Sequence, residues 1–122
     1  MSDKRVVRMA ELEIEPAQLD AYRALLAEEI EASVASERGV LTLYAVSIKG
    51  HPEKIRIFEV YASREDYEAH LQTPHFLKYK TSTAHMVRSL SLIDFDPVIL
   101  RGKTGDHLAT EVFGTGTARI RT

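Results

Sequence analysis

The sequence contains no cysteine and no tryptophan. Without cysteine there are no disulfides, no thiolate nucleophile, no iron–sulfur cluster and no Cys-ligated zinc. A basic excess is also missing. Sixteen Lys and Arg against 18 Asp and Glu leave a formal net charge of −2, which argues against a dedicated nucleic-acid binder. No apolar run approaches the roughly 18 residues that span a bilayer. The opening MSDKRVVRMAELEIE is charged within a few residues and has no apolar core of the signal-peptide kind. These absences predict a soluble protein of a reducing compartment, by default the cytoplasm, with neither nucleic acid nor membrane as partner. What is present is 122 residues, 44% hydrophobic and 28% charged. That is enough for one globular domain burying roughly two thirds of its unfolded surface, with no staple required.

The hydrophobic period changes along the chain. Val6, Val7, Met9, Leu12 and Ile14 interleave with charges, which predicts a strand near Lys4 to Glu13. Pro16 then suits the first turn of a helix, where its missing N–H has no partner to lose. Leu19, Tyr22, Leu25, Leu26, Ile30 and Val34 recur at steps of three and four, predicting an amphipathic helix to Ser36. Gln18, Asp20, Arg23, Glu28, Glu31 and Glu37 are assigned to its polar side, and Arg38-Gly39 to its end. VLTLYAVSIK (Val40–Lys49) and IRIFEVYA (Ile55–Ala62) flank a turn at Gly50–Glu53, which predicts an antiparallel hairpin. Ser63 with Asp66 three residues on is a capping-box pattern for a short helix. Thr73-Pro74 starts another, and Arg88 to Leu100 returns to strand spacing.

The order is β-α-β-β-α-β, with the second helical section broken at Thr73-Pro74. This predicts an α+β, ferredoxin-like fold with a four-stranded antiparallel sheet and helices on one face. Residues 1–100 form that domain. Residues 101–122 carry four of the six glycines and read as an arm that adds an edge strand to its own sheet or a partner's. Both parities of the strands are apolar. Val40, Tyr44, Val46 and Ile48 are expected on one face of the second strand, with Leu41, Leu43 and Ala45 on the other. Ile55, Ile57 and Tyr61 oppose Phe58, Val60 and Ala62 on the third. A sheet with one wet face alternates cleanly, so both faces call for cover. A second copy packed sheet to sheet, a dimeric α/β barrel, meets that demand.

No cofactor fingerprint is present. Gly114-Thr115-Gly116-Thr117 matches neither a P-loop nor a dinucleotide loop, and H-E-x-x-H does not occur. His70 and His75 are five apart with a Pro between, a spacing that does not put both on one helical face. The expectation is therefore no metal and no other cofactor.

The stretch Phe58-Glu59-Val60-Tyr61-Ala62-Ser63 through Glu68-Ala69-His70-Leu71-Gln72-Thr73-Pro74-His75-Phe76 resembles the antibiotic biosynthesis monooxygenase family. Members show Glu–x–aromatic at the end of the third strand, a helix with Ala-His, then a Pro-His or similar pair followed by an aromatic. EAHLQTPH, from Glu68 to His75, is most similar to the quinol monooxygenase-type members. The resemblance spans roughly residues 5 to 100 and leaves the tail outside. It implies a ferredoxin-like dimeric barrel with a small apolar cavity in each subunit. It also implies oxidation of a small phenolic or quinol-type substrate by O₂ without metal, flavin or haem. A phenolate or hydroquinone dianion gives an electron to O₂ directly, so the protein must mainly bind and deprotonate. Imidazole, with an ordinary pKa of about 6.5, suits that proton transfer. Haem-degrading relatives use a Trp and a later His, and the helix Phe76-Leu77-Lys78-Tyr79-Lys80 carries neither.

On that resemblance His70 is the expected proton acceptor, with His75 beside it. Tyr44 and Tyr61 would offer hydroxyls to a substrate oxygen, and Phe76 would form a wall. Glu59, an acid within an apolar strand, would either orient the catalytic His or serve as the structural partner of an Arg, a His or a backbone N–H. Two alternatives stay open. Isomerase-type relatives share Thr73-Pro74-His75 and act on a small phosphorylated ketone, for which Lys54, Arg56 and Lys80 are available cations. A non-catalytic ligand-binding dimer is the other.

Overall fold

Each turn of the chain places a residue that tolerates it, and the sheet follows. The computed structural model describes residues 3–103. Strand β1 (Val6–Ile14) leads through a single 3₁₀ turn at Pro16–Gln18 into helix α1 (Leu19–Ser36). Strands β2 (Val40–Ile48) and β3 (His51–Tyr61) form a hairpin. Helices α2 (Arg64–His70) and α3 (Pro74–Thr83) follow, and β4 (Val87–Phe95) closes the order. The strands lie in the order β2-β3-β1-β4, every neighbouring pair antiparallel. This is the predicted ferredoxin-like βαββαβ architecture.

The hairpin turn is shorter than expected. Only Lys49 and Gly50 lie outside the strands, and Gly50 takes φ 85°, a left-handed conformation that glycine adopts without a Cβ penalty. At the other end, β4 stops at Phe95 rather than Leu100. Pro97 has no N–H for the ladder, and Val98 beyond it is 95% exposed. Leu100 packs back against Val7 and Val60 on the face away from the helices. The expected arm from 101 onward, with Val112 and Phe113, lies outside the described residues apart from its first three.

The main core sits between the sheet and α1. Ala10, Leu12, Ile14, Ile55 and Ile57 meet Tyr22, Leu26 and Met86 there. A bulge between Val40 and Thr42 breaks the alternation of β2. Val40 therefore joins Leu43 and Tyr61 under the helices instead of sharing a face with Tyr44. On the opposite face Val7 and Val60 are buried beneath Leu41, Phe58 and Leu100. Tyr44, Val46, Ile93 and Phe95 extend that face and are exposed. Among the described residues no helix is long and apolar enough to cross a membrane.

The helices are tied to one another at one end of the sheet. Ser63 caps α2 by accepting from the Asp66 N–H at 3.1 Å, and its hydroxyl donates to the Asp66 carboxylate at 2.7 Å. Thr73 Oγ1 accepts from the Phe76 N–H at 3.3 Å and donates to the His70 carbonyl at 2.8 Å. One side chain thus joins the end of α2 to the start of α3. Gly39, between α1 and β2, accepts the Ala62 N–H at 2.8 Å. A Cβ on Gly39 would run into the Asp66 side chain, so the close approach of loop and capped helix requires glycine. Replacing Gly39 with Ala is expected to cost about 1–3 kcal/mol through overpacking, read as a lower midpoint in urea. An unchanged midpoint would show that the α1–β2 loop has slack there.

Candidate active site

The buried stripe of α1 is Tyr22, Leu26, Glu29 and Ser33. These positions step by four, three and four, the spacing of one helical face. Tyr22 and Leu26 meet the apolar core, but the last two members are polar. Val34, expected on the core side, is exposed instead. The helix thus presents a carboxyl and a hydroxyl inward where it passes α2 and α3, and Glu37 at its end lies on the same side of the protein.

His70, the last residue of α2, fills the space they face, and its side chain is only 4% exposed. Its Nδ1 lies 3.0 Å from Glu37 Oε2 and 3.3 Å from Glu37 Oε1. Its Nε2 faces Glu29 Oε2 at 3.4 Å. Ser33 Oγ donates to that same Glu29 oxygen at 2.9 Å. Glu37 Oε2 also meets His75 Nε2 at 2.5 Å, and the His75 side chain is 20% exposed. Glu29, His70, Glu37 and His75 therefore alternate acid and base from the interior outward. Burial pushes the Glu29 carboxyl up, while Ser33 and the nearby imidazoles pull it down less strongly. The Nε2 contact to Glu29 is the longer of the two that hold the His70 ring, and Nδ1 to Glu37 the shorter.

Aromatic rings enclose this line. The His70 ring is 5.1 Å from the Phe76 ring and 5.3 Å from the Tyr61 ring, centroid to centroid. The Tyr61 hydroxyl donates to Glu59 Oε1 at 2.8 Å. The hydroxyls of Tyr22 and Tyr79 are 2.7 Å apart. Burial pushes all three phenols, Tyr22, Tyr61 and Tyr79, up, so they are proton donors and not bases. Beyond them the Arg8 guanidinium lies 4.7 Å from the centre of the Tyr67 ring, and its Nη1 donates to the Tyr67 hydroxyl. Arg8 Nε is buried without a hydrogen-bond acceptor and has Asp94 at 3.7 Å.

Of the residues singled out in the sequence, the structure gathers His70, His75, Tyr61, Glu59 and Phe76 at one place. Tyr44 is elsewhere. It pairs with Phe58, which puts it on the sheet face away from the helices, and it is 56% exposed. It lines a groove of about 510 Å³ between α1 and β2, together with Arg23, Leu26, Ile30, Leu43 and Ser47. Glu29, Ser33 and Glu37 were not anticipated. The signal for the first two was available, since continuing the step from Tyr22 and Leu26 by three and four lands on them. His70 and His75 do not share a helical face, as their spacing predicts, but Thr73-Pro74 breaks the helix between them. The break lets both rings reach one carboxylate from different helices.

Residues 5–82 match the family model described as antibiotic biosynthesis monooxygenase. A crystal structure from Bacteroides thetaiotaomicron, provisionally described under the same family name, shares 47% identity. The match covers 79% of this chain and 91% of that one, with a TM-score of 0.77. A protein of Lactobacillus acidophilus, provisionally described as a monooxygenase, is 29% identical with a TM-score of 0.74. The match covers 75% of this chain and 44% of that longer one. A Nitrosomonas europaea structure at 17% identity shares the fold, with a TM-score of 0.76 over 84% of this chain and 98% of that one. No curated protein matches the chain.

Glu59 gives a test of the electrostatics. Burial is the largest influence on its carboxyl and pushes the pKa up from the ordinary 4.5, against smaller downward pulls from Tyr61 and Arg8. A raised folded-state pKa means that the ionised form is disfavoured in the fold. Stability is then fully present below the unfolded pKa and falls as pH rises through the folded one. Glu59→Gln removes that dependence while keeping an acceptor for Tyr61. The variant is expected to melt higher than wild type at pH 7–8, with the difference vanishing below about pH 4. A difference that is independent of pH would show that Glu59 is not held in the manner described.

Proposed function

The chain belongs to the antibiotic biosynthesis monooxygenase family, and from that premise we propose that it is a cofactor-independent monooxygenase of the quinol type. Its substrates are a small phenol or hydroquinone and O₂. The observation that supports this reading is the line Glu29–His70–Glu37–His75, buried at Glu29 and His70, with aromatic rings packed on His70. Glu37 orients His70 through Nδ1, as a carboxylate orients a base in hydrolytic triads. The Nε2 side is the looser contact, and a phenolic O–H takes the place of Glu29 there. Nε2 accepts the proton. Glu37 and the partly exposed His75 form the route by which protons reach water.

Deprotonation makes the ring a one-electron donor to O₂. The resulting semiquinone and superoxide join through a new C–O bond, giving a ring hydroperoxide. Loss of the ring C–H proton then breaks the O–O bond. One oxygen stays on the product, a hydroxyquinone, and the other leaves as water. Hydroquinone plus O₂ thus gives hydroxyquinone plus water, with no further reductant. An apolar enclosure favours O₂ and protects the intermediates from solvent. A phosphorylated ketone is disfavoured, because Glu29, Glu37 and Glu59 surround the histidine with carboxyl groups and Arg56 is engaged by Glu11 at 3.6 Å.

A second copy of this chain covers the open sheet face in this reading. Tyr44, Val46, Ile93 and Phe95 lie there exposed. Leaving a large side chain of this kind wet forgoes about 1.5–3 kcal/mol. Light scattering is expected to give twice the 13.7 kDa chain mass, and Val46→Lys with Phe95→Lys a monomer. A monomeric wild type at micromolar concentration would contradict this.

The catalytic test is O₂ uptake over a panel of hydroquinones and catechols, corrected for spontaneous oxidation. One O₂ per substrate is expected, with one atom of ¹⁸O₂ in the product. His70→Gln is expected to lower kcat about 10²–10⁴-fold and to change KM much less. Folded protein with no uptake, or His70→Gln at the wild-type rate, would sink the proposal. The same result would favour a ligand-binding role.

A further inference from the structure

The site that moves protons also has the donors of a metal site. One ligand atom from each of Glu37, His70 and His75 can be chosen so that all three lie within 4.8 Å of one another. Ligands held at 2.0–2.2 Å in a tetrahedron stand roughly 3.4 Å apart. The present separations of Glu37 Oε2 from His70 Nδ1 and His75 Nε2, 3.0 and 2.5 Å, are shorter than that and would open as the three side chains turn toward a common centre. The three donors come from three elements, the end of α1, the end of α2 and the start of α3. Thr73 locks the last two together through the His70 carbonyl and the Phe76 N–H. The far nitrogen of His70 already faces a carboxyl, Glu29 at 3.4 Å, which Ser33 holds at 2.9 Å. A ligating imidazole whose other nitrogen meets a carboxylate is the usual support of a histidine–metal bond.

We propose that Glu37, His70 and His75 form a three-ligand site for a divalent transition-metal ion of the Zn²⁺ type. Two imidazoles and one carboxylate suit Zn²⁺, Co²⁺ or Ni²⁺ and do not suit Mg²⁺ or Ca²⁺, which take oxygen donors. Three protein ligands leave the fourth position to water. Binding has a consequence that rests on the function proposed above. With the ion on Nδ1, the single proton of the neutral His70 ring sits on Nε2 toward Glu29. Nε2 then cannot accept a proton from substrate. The ion is an inhibitor of the metal-free reaction and gives the cell's metal level a hold on this enzyme.

Binding is tested on the full chain by calorimetry with Zn²⁺ and by the visible absorption of Co²⁺, with circular dichroism as the check of folding. One ion per chain with an intense tetrahedral Co²⁺ spectrum is expected. His75→Ala and Glu37→Gln should each weaken binding at least tenfold, and Glu29→Gln about tenfold. The remaining histidines, His51, His85 and His107, serve as the control, and replacing them together should leave the affinity unchanged. No saturable binding, or binding that survives both His75→Ala and Glu37→Gln, would overturn the site. Zn²⁺ should also suppress quinol-dependent O₂ uptake over the concentration range in which it binds. Binding at this site with uptake undiminished would overturn the inhibitory role. Saturable binding lost in the variants supports the site even if no quinol is oxidised, so the two proposals fail separately.

Discussion

The arrangement depends on one unfavourable placement, the carboxyl of Glu29 on the core-facing stripe of α1. A buried ion costs several kcal/mol even after relaxation, and an apolar residue there would pack without that cost. What offsets it is local. Ser33, one turn on, donates to Glu29, and His70 lies across from it. Glu37 holds the other side of His70. Removing any one member leaves a buried polar group without its partner, at about 1–3 kcal/mol. The cluster is therefore a set that stands or falls together, and it fixes the His70 ring far more firmly than a surface position would.

The fold supplies the frame for that set. Gly39 lets the end of α1 approach the capped start of α2, and Thr73 joins the end of α2 to α3. The three helices therefore converge where β3 ends at Glu59 and Tyr61. Two faces of one sheet then have separate tasks. The helix face encloses the polar line, and the other carries exposed Tyr44, Val46, Ile93 and Phe95. This separation is why Tyr44 does not share a site with His70 within one chain.

Much of this was legible from residues alone. The change of period gave the order of elements, and Ser63 and Thr73 gave two helix starts that the hydrogen bonds bear out. Mixed apolar parity in β2 and β3 marked a sheet with two apolar faces. Other features depend on three-dimensional packing that no local pattern carries. A single bulge after Val40 moved that residue across the sheet. The apolar series passes over Glu29 because it follows hydrophobic side chains alone, although the spacing of Glu29 from Tyr22 and Leu26 is that of the core. His70 and His75 meet only because a break between two short helices turns their rings toward a third.

The central claim is that the His70 ring is held between two carboxyl groups, Glu37 at Nδ1 and Glu29 at Nε2. Neutron diffraction from deuterated crystals tests it most directly. The account predicts one deuteron between Nδ1 and Glu37 and another between Nε2 and Glu29. A His70 nitrogen that shares no deuteron with either carboxyl, or a ring turned away from α1, would contradict it.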